Sequence, residues 1–143
     1  MTPLKALGRT VLLVRAYDEA LAFYRDALGF VVLYDQTAST GQRFLHIGVS
    51  GQGGTPPVGL WMLEATGADA ELVGRQAGSH PLFVVYTADC RATAAELEQR
   101  GVQIRKPPVE DSGAVSAHIA DLYGNELVLV QLTGEARGNS SKR

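Results

Sequence analysis

The chain has a single cysteine, Cys90, among 143 residues. A lone thiol excludes an intramolecular disulfide and fits a reducing compartment. At the start of an expected helix, that thiol can become somewhat more acidic, or it can simply be a small helix residue. Long apolar runs are also missing. The longest, residues 10–14 and 127–132, are strand-sized and far short of the roughly 20 residues of a membrane span. The segment holding Lys5 and Arg9 has no apolar stretch long enough for a signal peptide, so a cytoplasmic location is expected. Neither charge sign dominates. The net charge is −2 and the basic residues are scattered, which gives no footprint for nucleic acid. No Lys-Ser/Thr pair follows Gly51, Gly53 and Gly54, so they are not a phosphate loop. Ser50, Ser79, Ser112 and Ser116 lie in no recognisable nucleophile motif.

What the sequence does contain is a repeat. Shifted by about 72 residues, Gly29 falls on Gly101, Gly41 on Gly113, His46 on His118, Ala20 on Ala92 and Ala22 on Ala94. The apolar stretch 11–14 falls on 83–86. The period is too long for a solenoid, whose units run roughly 20–50 residues. Two copies of one unit therefore make a duplicated domain.

Each copy reads β-α-β-β-β. In the first, 9–15 is a strand apolar enough to be buried on both faces. Asp18 offers an N-cap, Ala20, Leu21, Tyr24, Ala27 and Leu28 form one helical stripe, and Gly29 stops it. Strands follow at 30–34, 43–49 and 58–64, with 50–57 a Gly/Pro loop unable to pair. A connector, 65–80, carries one helical turn near 70–73. In the second copy, 81–87 is a strand and Asp89 caps a helix ending at Gly101. Residues 102–105 form a strand broken by Pro107 and Pro108. Strands at 114–120 and 126–132 flank a turn in which Asp121 accepts backbone N–H bonds and Gly124 and Asn125 tolerate positive φ. The expected fold class is α+β: two tandem βαβββ modules forming a curved mixed sheet with a concave pocket and the helices outside. Module one is about 8–64, module two about 81–132, within a single domain 1–134. Residues 135–143 are expected to form a flexible tail.

The string FYRDALGF at 23–30, followed by RGV at 100–102, PP at 107–108 and DLYGN at 121–125, resembles the vicinal-oxygen-chelate superfamily. That superfamily holds glyoxalase I, bleomycin-resistance proteins and extradiol dioxygenases. The resemblance runs from about residue 8 to 132. It implies a small-molecule pocket and a homodimer, with the pocket built within one chain or shared by two. It also implies metal-ligand positions on four strands. These fall on Arg9, Trp61, Leu82 and Val128, none of which offers a lone pair to a divalent cation. A displaced site from His80 and Glu126 lacks ligands from the first module. No cofactor is therefore expected, with a divalent metal as the alternative.

The candidate ligand-binding residues are Arg9, Phe44, His46, Trp61, Leu82 and Val128. Trp61 either packs in the core or offers a stacking surface. Arg9 either lies at the surface or pairs with an anionic group. His46 and His118 occupy equivalent strands, and each is either an ordinary strand residue or a ligand contact. His118 is the candidate acid/base residue. The leading expectation is metal-free binding of a small amphipathic or aromatic molecule. The alternative is a lyase, isomerase or dioxygenase-like enzyme using a displaced metal or His118.

Overall fold

The computed structural model describes residues 2–54 and 57–134. The expected tail at 135–143 lies outside them. By its contacts the chain divides into two compact units, Met1–Val73 and Gly74–Arg143. Each contains one four-stranded mixed sheet, so the repeat read in the sequence is a repeat of architecture. Among the described residues no helix is long and apolar enough to cross a membrane.

In the first unit the strands are β1 (Arg9–Val14), β2 (Phe30–Thr37), β3 (Arg43–Val49) and β4 (Gly59–Glu64), with helix α1 (Tyr17–Ala22) after β1. The sheet order is β1-β4-β3-β2, with β1 parallel to β4 and the other pairs antiparallel. Alternation sorts the side chains. Leu12, Val14, Leu45, Ile47, Leu60 and Met62 are buried on one face, where Ala20, Leu21 and Tyr24 join them from the helical segment. Burial of each large side chain is worth about 1.5–3 kcal/mol. β1 is thus buried on one face rather than two, for Val11 is exposed beside buried Leu12.

The helical segment continues past α1 as a π-helical turn, Phe23–Ala27. Tyr24 meets Phe30 edge-on at 5.2 Å. Gly29 ends the segment at φ +80°, where a side chain would be strained. Asp18 is not the cap. The N-cap is Ala16, with no side-chain bond. Asp18 lies in the first turn and accepts from Arg43 at 3.0 Å, while Arg43 also grips Asp35 at 2.9 and 3.0 Å. A two-pronged arginine claims the carboxylate instead of the helix N–H groups. In the loop before β4, Gly54 and Pro57 form one isolated antiparallel bridge. The expected helical turn in the connector is a 3-10 turn at Gly67–Leu72.

In the second unit β5 (Phe83–Tyr86), helix α2 (Cys90–Gln99), β6 (Gln103–Asp111), β7 (Ala114–Ala120) and β8 (Glu126–Leu132) repeat the scheme, ordered β5-β8-β7-β6. Asp89 caps α2 by accepting from the Ala92 N–H at 3.0 Å. Pro107 and Pro108 do not break their strand; β6 runs through them. It is an edge strand, and its pairing with β7 shifts register twice, between Ile104 and Lys106 and again between Lys106 and Val109. An edge strand with bulges does not need the N–H groups that proline lacks. Buried Asp121 accepts from the backbone N–H groups of Tyr123 and Asn125 and from the Asn125 side chain, each at 2.9 Å. Only Gly124 in that turn takes positive φ. Cys90 opens α2 but is fully buried. Burial pushes its thiol up, which agrees with a small helix residue and not with an acidified thiol.

Candidate functional site

The face of the first sheet opposite its helix gathers four of the residues singled out in the sequence. β1 supplies Arg9, β3 supplies Phe44 and His46, and β4 supplies Trp61. Register places them together: Trp61 pairs with Val11 on one side and with His46 on the other, and Tyr34 of β2 pairs with His46. Phe44 stacks on Trp61 at 6.2 Å and 29°. His46 meets the indole edge-on at 5.8 Å and lies 5.4 Å from Tyr34. The result is a continuous aromatic surface across three strands.

Electrostatics set the chemistry of this face. Arg9 Nε donates to His46 Nδ1 at 3.1 Å. Its Nη1 donates to the carbonyls of Gly8 and Pro57. All three partners are neutral, so among the described residues no carboxylate pairs with the guanidinium. Burial, and then the charge of Arg9, pushes His46 below the ordinary imidazole value. A neutral imidazole that accepts at Nδ1 carries its proton on Nε2. His46 is therefore a donor at Nε2. The buried indole N–H of Trp61 has no partner among the described residues. Such an orphan costs about 1–3 kcal/mol.

The second unit holds the other three residues. Leu82 precedes β5 and extends its ladder by donating to the Glu126 carbonyl at 2.7 Å. Val128 pairs with both Val84 and His118. His118 Nδ1 lies 2.9 Å from Glu126 Oε2, and Arg105 reaches the same carboxylate at 4.0 Å. The hydrogen bond from His118 is the main cause holding the Glu126 carboxyl below its usual range. An ionised carboxylate only accepts, so His118 donates from Nδ1. His46 and His118, repeat-related in sequence, thus use Nδ1 in opposite ways, one accepting and the other donating. Beside Glu126 lies a concavity of about 80 Å³, walled also by Gly74, Ser79, His80, Arg105 and Asn125.

The residues do not fit the metal that the resemblance implies. The resemblance assigns the ligand positions to Arg9, Trp61, Leu82 and Val128, and a guanidinium, an indole and two aliphatic groups cannot ligate. Among the described residues no three His, Cys, Asp or Glu side chains stand close enough to hold a metal ion. His80 and Glu126 do line one concavity, but the Arg105 guanidinium faces it too and opposes a second cation.

Two tandem βαβββ units, each a four-stranded mixed sheet with its helix, define the class of fold. The family model for the Glyoxalase/Bleomycin resistance protein/Dioxygenase superfamily matches residues 6–129, and the chain belongs to that superfamily. It is 30% identical over 130 residues to an uncharacterized protein of Shewanella frigidimarina (strain NCIMB 400), covering 90% of this chain and 94% of that one. Among solved structures, UcmS2 is similar at 26% identity with a TM-score of 0.76, over 89% of this chain and 98% of its own. TnmS3, an antibiotic binding protein from Streptomyces sp. CB03234, has a TM-score of 0.74 at 23% identity, over 93% and 100% of the two chains, a likeness of fold.

Two further residues at the first sheet's open face, Leu33 and Tyr34, escape sequence reasoning. A β-bulge puts them there: Val32 pairs with Ile47 but Tyr34 with His46, so β2 advances two residues while β3 advances one. Strict alternation would have put Leu33 on the opposite face from Tyr34.

Proposed function

We propose that this protein binds a small, planar, amphipathic molecule without a metal, on the open face of its first sheet. The carrying observation is the stacked Phe44–Trp61 pair with His46 and Arg9 beside it. A ring laid on that surface and bearing a carbonyl or carboxylate at its edge would meet His46 Nε2 and the charge of Arg9. The fold likeness to TnmS3, an antibiotic binding protein, agrees with a binding role. The same reading takes the protein as a cytoplasmic homodimer. The single buried cysteine and the superfamily resemblance support this, and sedimentation equilibrium would test the dimer.

Trp61 is the sole tryptophan, so its fluorescence reports on the site directly. Titration with aromatic carboxylates in the presence of EDTA is expected to quench it saturably, and Trp61→Leu to abolish binding as read by calorimetry. Stabilisation by Ni²⁺ or Zn²⁺, with no response to any aromatic compound, would overturn the proposal.

A second reading rests on the 2.9 Å contact between His118 and Glu126. A carboxylate-oriented imidazole is a general-base arrangement, so the protein would be a lyase or isomerase acting by proton transfer. If His118→Ala leaves every detected turnover unchanged, that role is lost.

A further inference from the structure

We infer that Leu33 is a removable plug that sets the size of ring system the first sheet accepts. This rests on the aromatic-binding reading above. Two glycines, Gly48 in β3 and Gly59 in β4, lie one register step beyond the Ile47–Leu60 pair. Each is two residues from a site side chain, His46 or Trp61, and so opens onto the same face about 6–7 Å along the strand. With no side chains of their own they leave a notch in that face, and Leu33 fills it. A methyl group built on Gly59 would lie 2.6 Å from Leu33 Cδ1 and 3.5 Å from Arg9 Cδ. One built on Gly48 would lie 2.7 Å from the same Leu33 carbon. The bulge in β2 is what delivers Leu33 to this face, next to Tyr34. The isobutyl group therefore occupies the slot adjoining the indole, the imidazole and Arg9, into which a longer fused ring would extend.

The two glycines differ in a useful way. A side chain on Gly59 also strikes the Ile47 carbonyl oxygen at 2.6 Å, which is backbone and cannot give way. The nearest atoms to a side chain on Gly48 all belong to the flexible Leu33 side chain, Cδ1 at 2.7 Å, Cγ at 3.3 Å and Cδ2 at 3.5 Å. Gly48→Ala should thus push Leu33 outward without disturbing the sheet. Leu33→Ala should empty the notch.

The test uses the full chain and three probes of increasing length: benzoate, 2-naphthoate and anthracene-2-carboxylate, measured by isothermal titration calorimetry. Leu33→Ala is expected to raise the affinity ratio of the three-ring to the one-ring acid tenfold or more, and Gly48→Ala to lower it. Thermal melts add a readout that needs no ligand: Gly48→Ala should destabilise the wild type yet be close to neutral in the Leu33→Ala background. If the acids bind but both variants keep the wild-type ratio within twofold, Leu33 is not the plug and the binding reading survives. Additive melts would likewise overturn the plug. If no acid binds any of these proteins, the binding reading fails and the size role fails with it.

Discussion

Arg9→Met isolates the contact that gives His46 its tautomer. The substitution keeps a long apolar stem but removes the Nε donor 3.1 Å from His46 Nδ1 and the Nη1 bonds to the Gly8 and Pro57 carbonyls. A half-buried Nδ1 lone pair is left without a partner, and a charge-assisted bond is lost. The expected cost is about 1.5–3 kcal/mol at pH 8. The pH dependence follows from sign. Because His46 titrates below the ordinary 6.5 in the folded state, its contribution to stability is complete above that pH. It is lost as pH falls from 6.5 toward the lower folded value, where the unfolded chain takes up the proton first. Of the two causes, burial is the larger and persists in the variant, whereas the repulsion from Arg9 does not. The folded pKa should therefore rise part of the way back, and each unit of rise narrows the gap between variant and wild type by 1.36 kcal/mol in acid. Urea unfolding at pH 8 and pH 5.5 measures the gap. Long-range ¹⁵N–¹H correlation of the three histidines reads tautomers and titration directly. A proton on Nδ1 of His46, a His46 titration unmoved by Arg9→Met, or a gap that widens in acid would each refute the reasoning.

Three other outcomes are expected. Asp121→Ala strands two backbone N–H groups and the Asn125 amide in a buried turn, and should cost about 3–5 kcal/mol in urea unfolding; a loss under about 1 kcal/mol would contradict the accounting. Glu126, held below its ordinary 4.5 chiefly by His118, contributes stability that is complete above that pH and lost as pH falls through the lower folded value. Glu126→Gln should flatten the acid limb of the stability curve, and an unchanged limb would refute the pairing. Cys90, buried and raised, should react with iodoacetamide at pH 7.5 at least tenfold more slowly in the folded protein than in urea; equal rates would mean the thiol is accessible.

Local chemistry made much of the fold readable. Gly29 stops a helix because the chain turns left-handed there, and Asp89 caps the next because its carboxylate reaches Ala92 N–H. The failures came where a distant partner outbid the local one. Asp18 has the right chemistry for a cap, yet Arg43, 25 residues away, takes its carboxylate. Pro107 and Pro108 would break a central strand, but β6 is at the edge, a fact of sheet order that its own residues do not state. The same division holds at the candidate site. Phe44 and His46 share a face by alternation, and Trp61 meets them through register. Leu33 could not be placed so, because a single extra residue in β2 reverses the parity on which such placement depends.

The two histidines kept by the repeat show how far the units have diverged. Each sits on the third strand of its unit, opposite the last strand. In the first unit the neighbour is a cation on β1, so the imidazole must accept at Nδ1 and present a donor. In the second the neighbour is a carboxylate on β8, so it must donate from Nδ1. Fold constraints alone do not require this difference, since either ring would fit either strand. One charge per unit decides it: Arg9 makes the first Nδ1 an acceptor, and Glu126 makes the second a donor. Exchanging those charges, by Arg9→Glu in one variant and Glu126→Arg in another, should exchange the roles of the two Nδ1 atoms, as long-range ¹⁵N–¹H correlation would read.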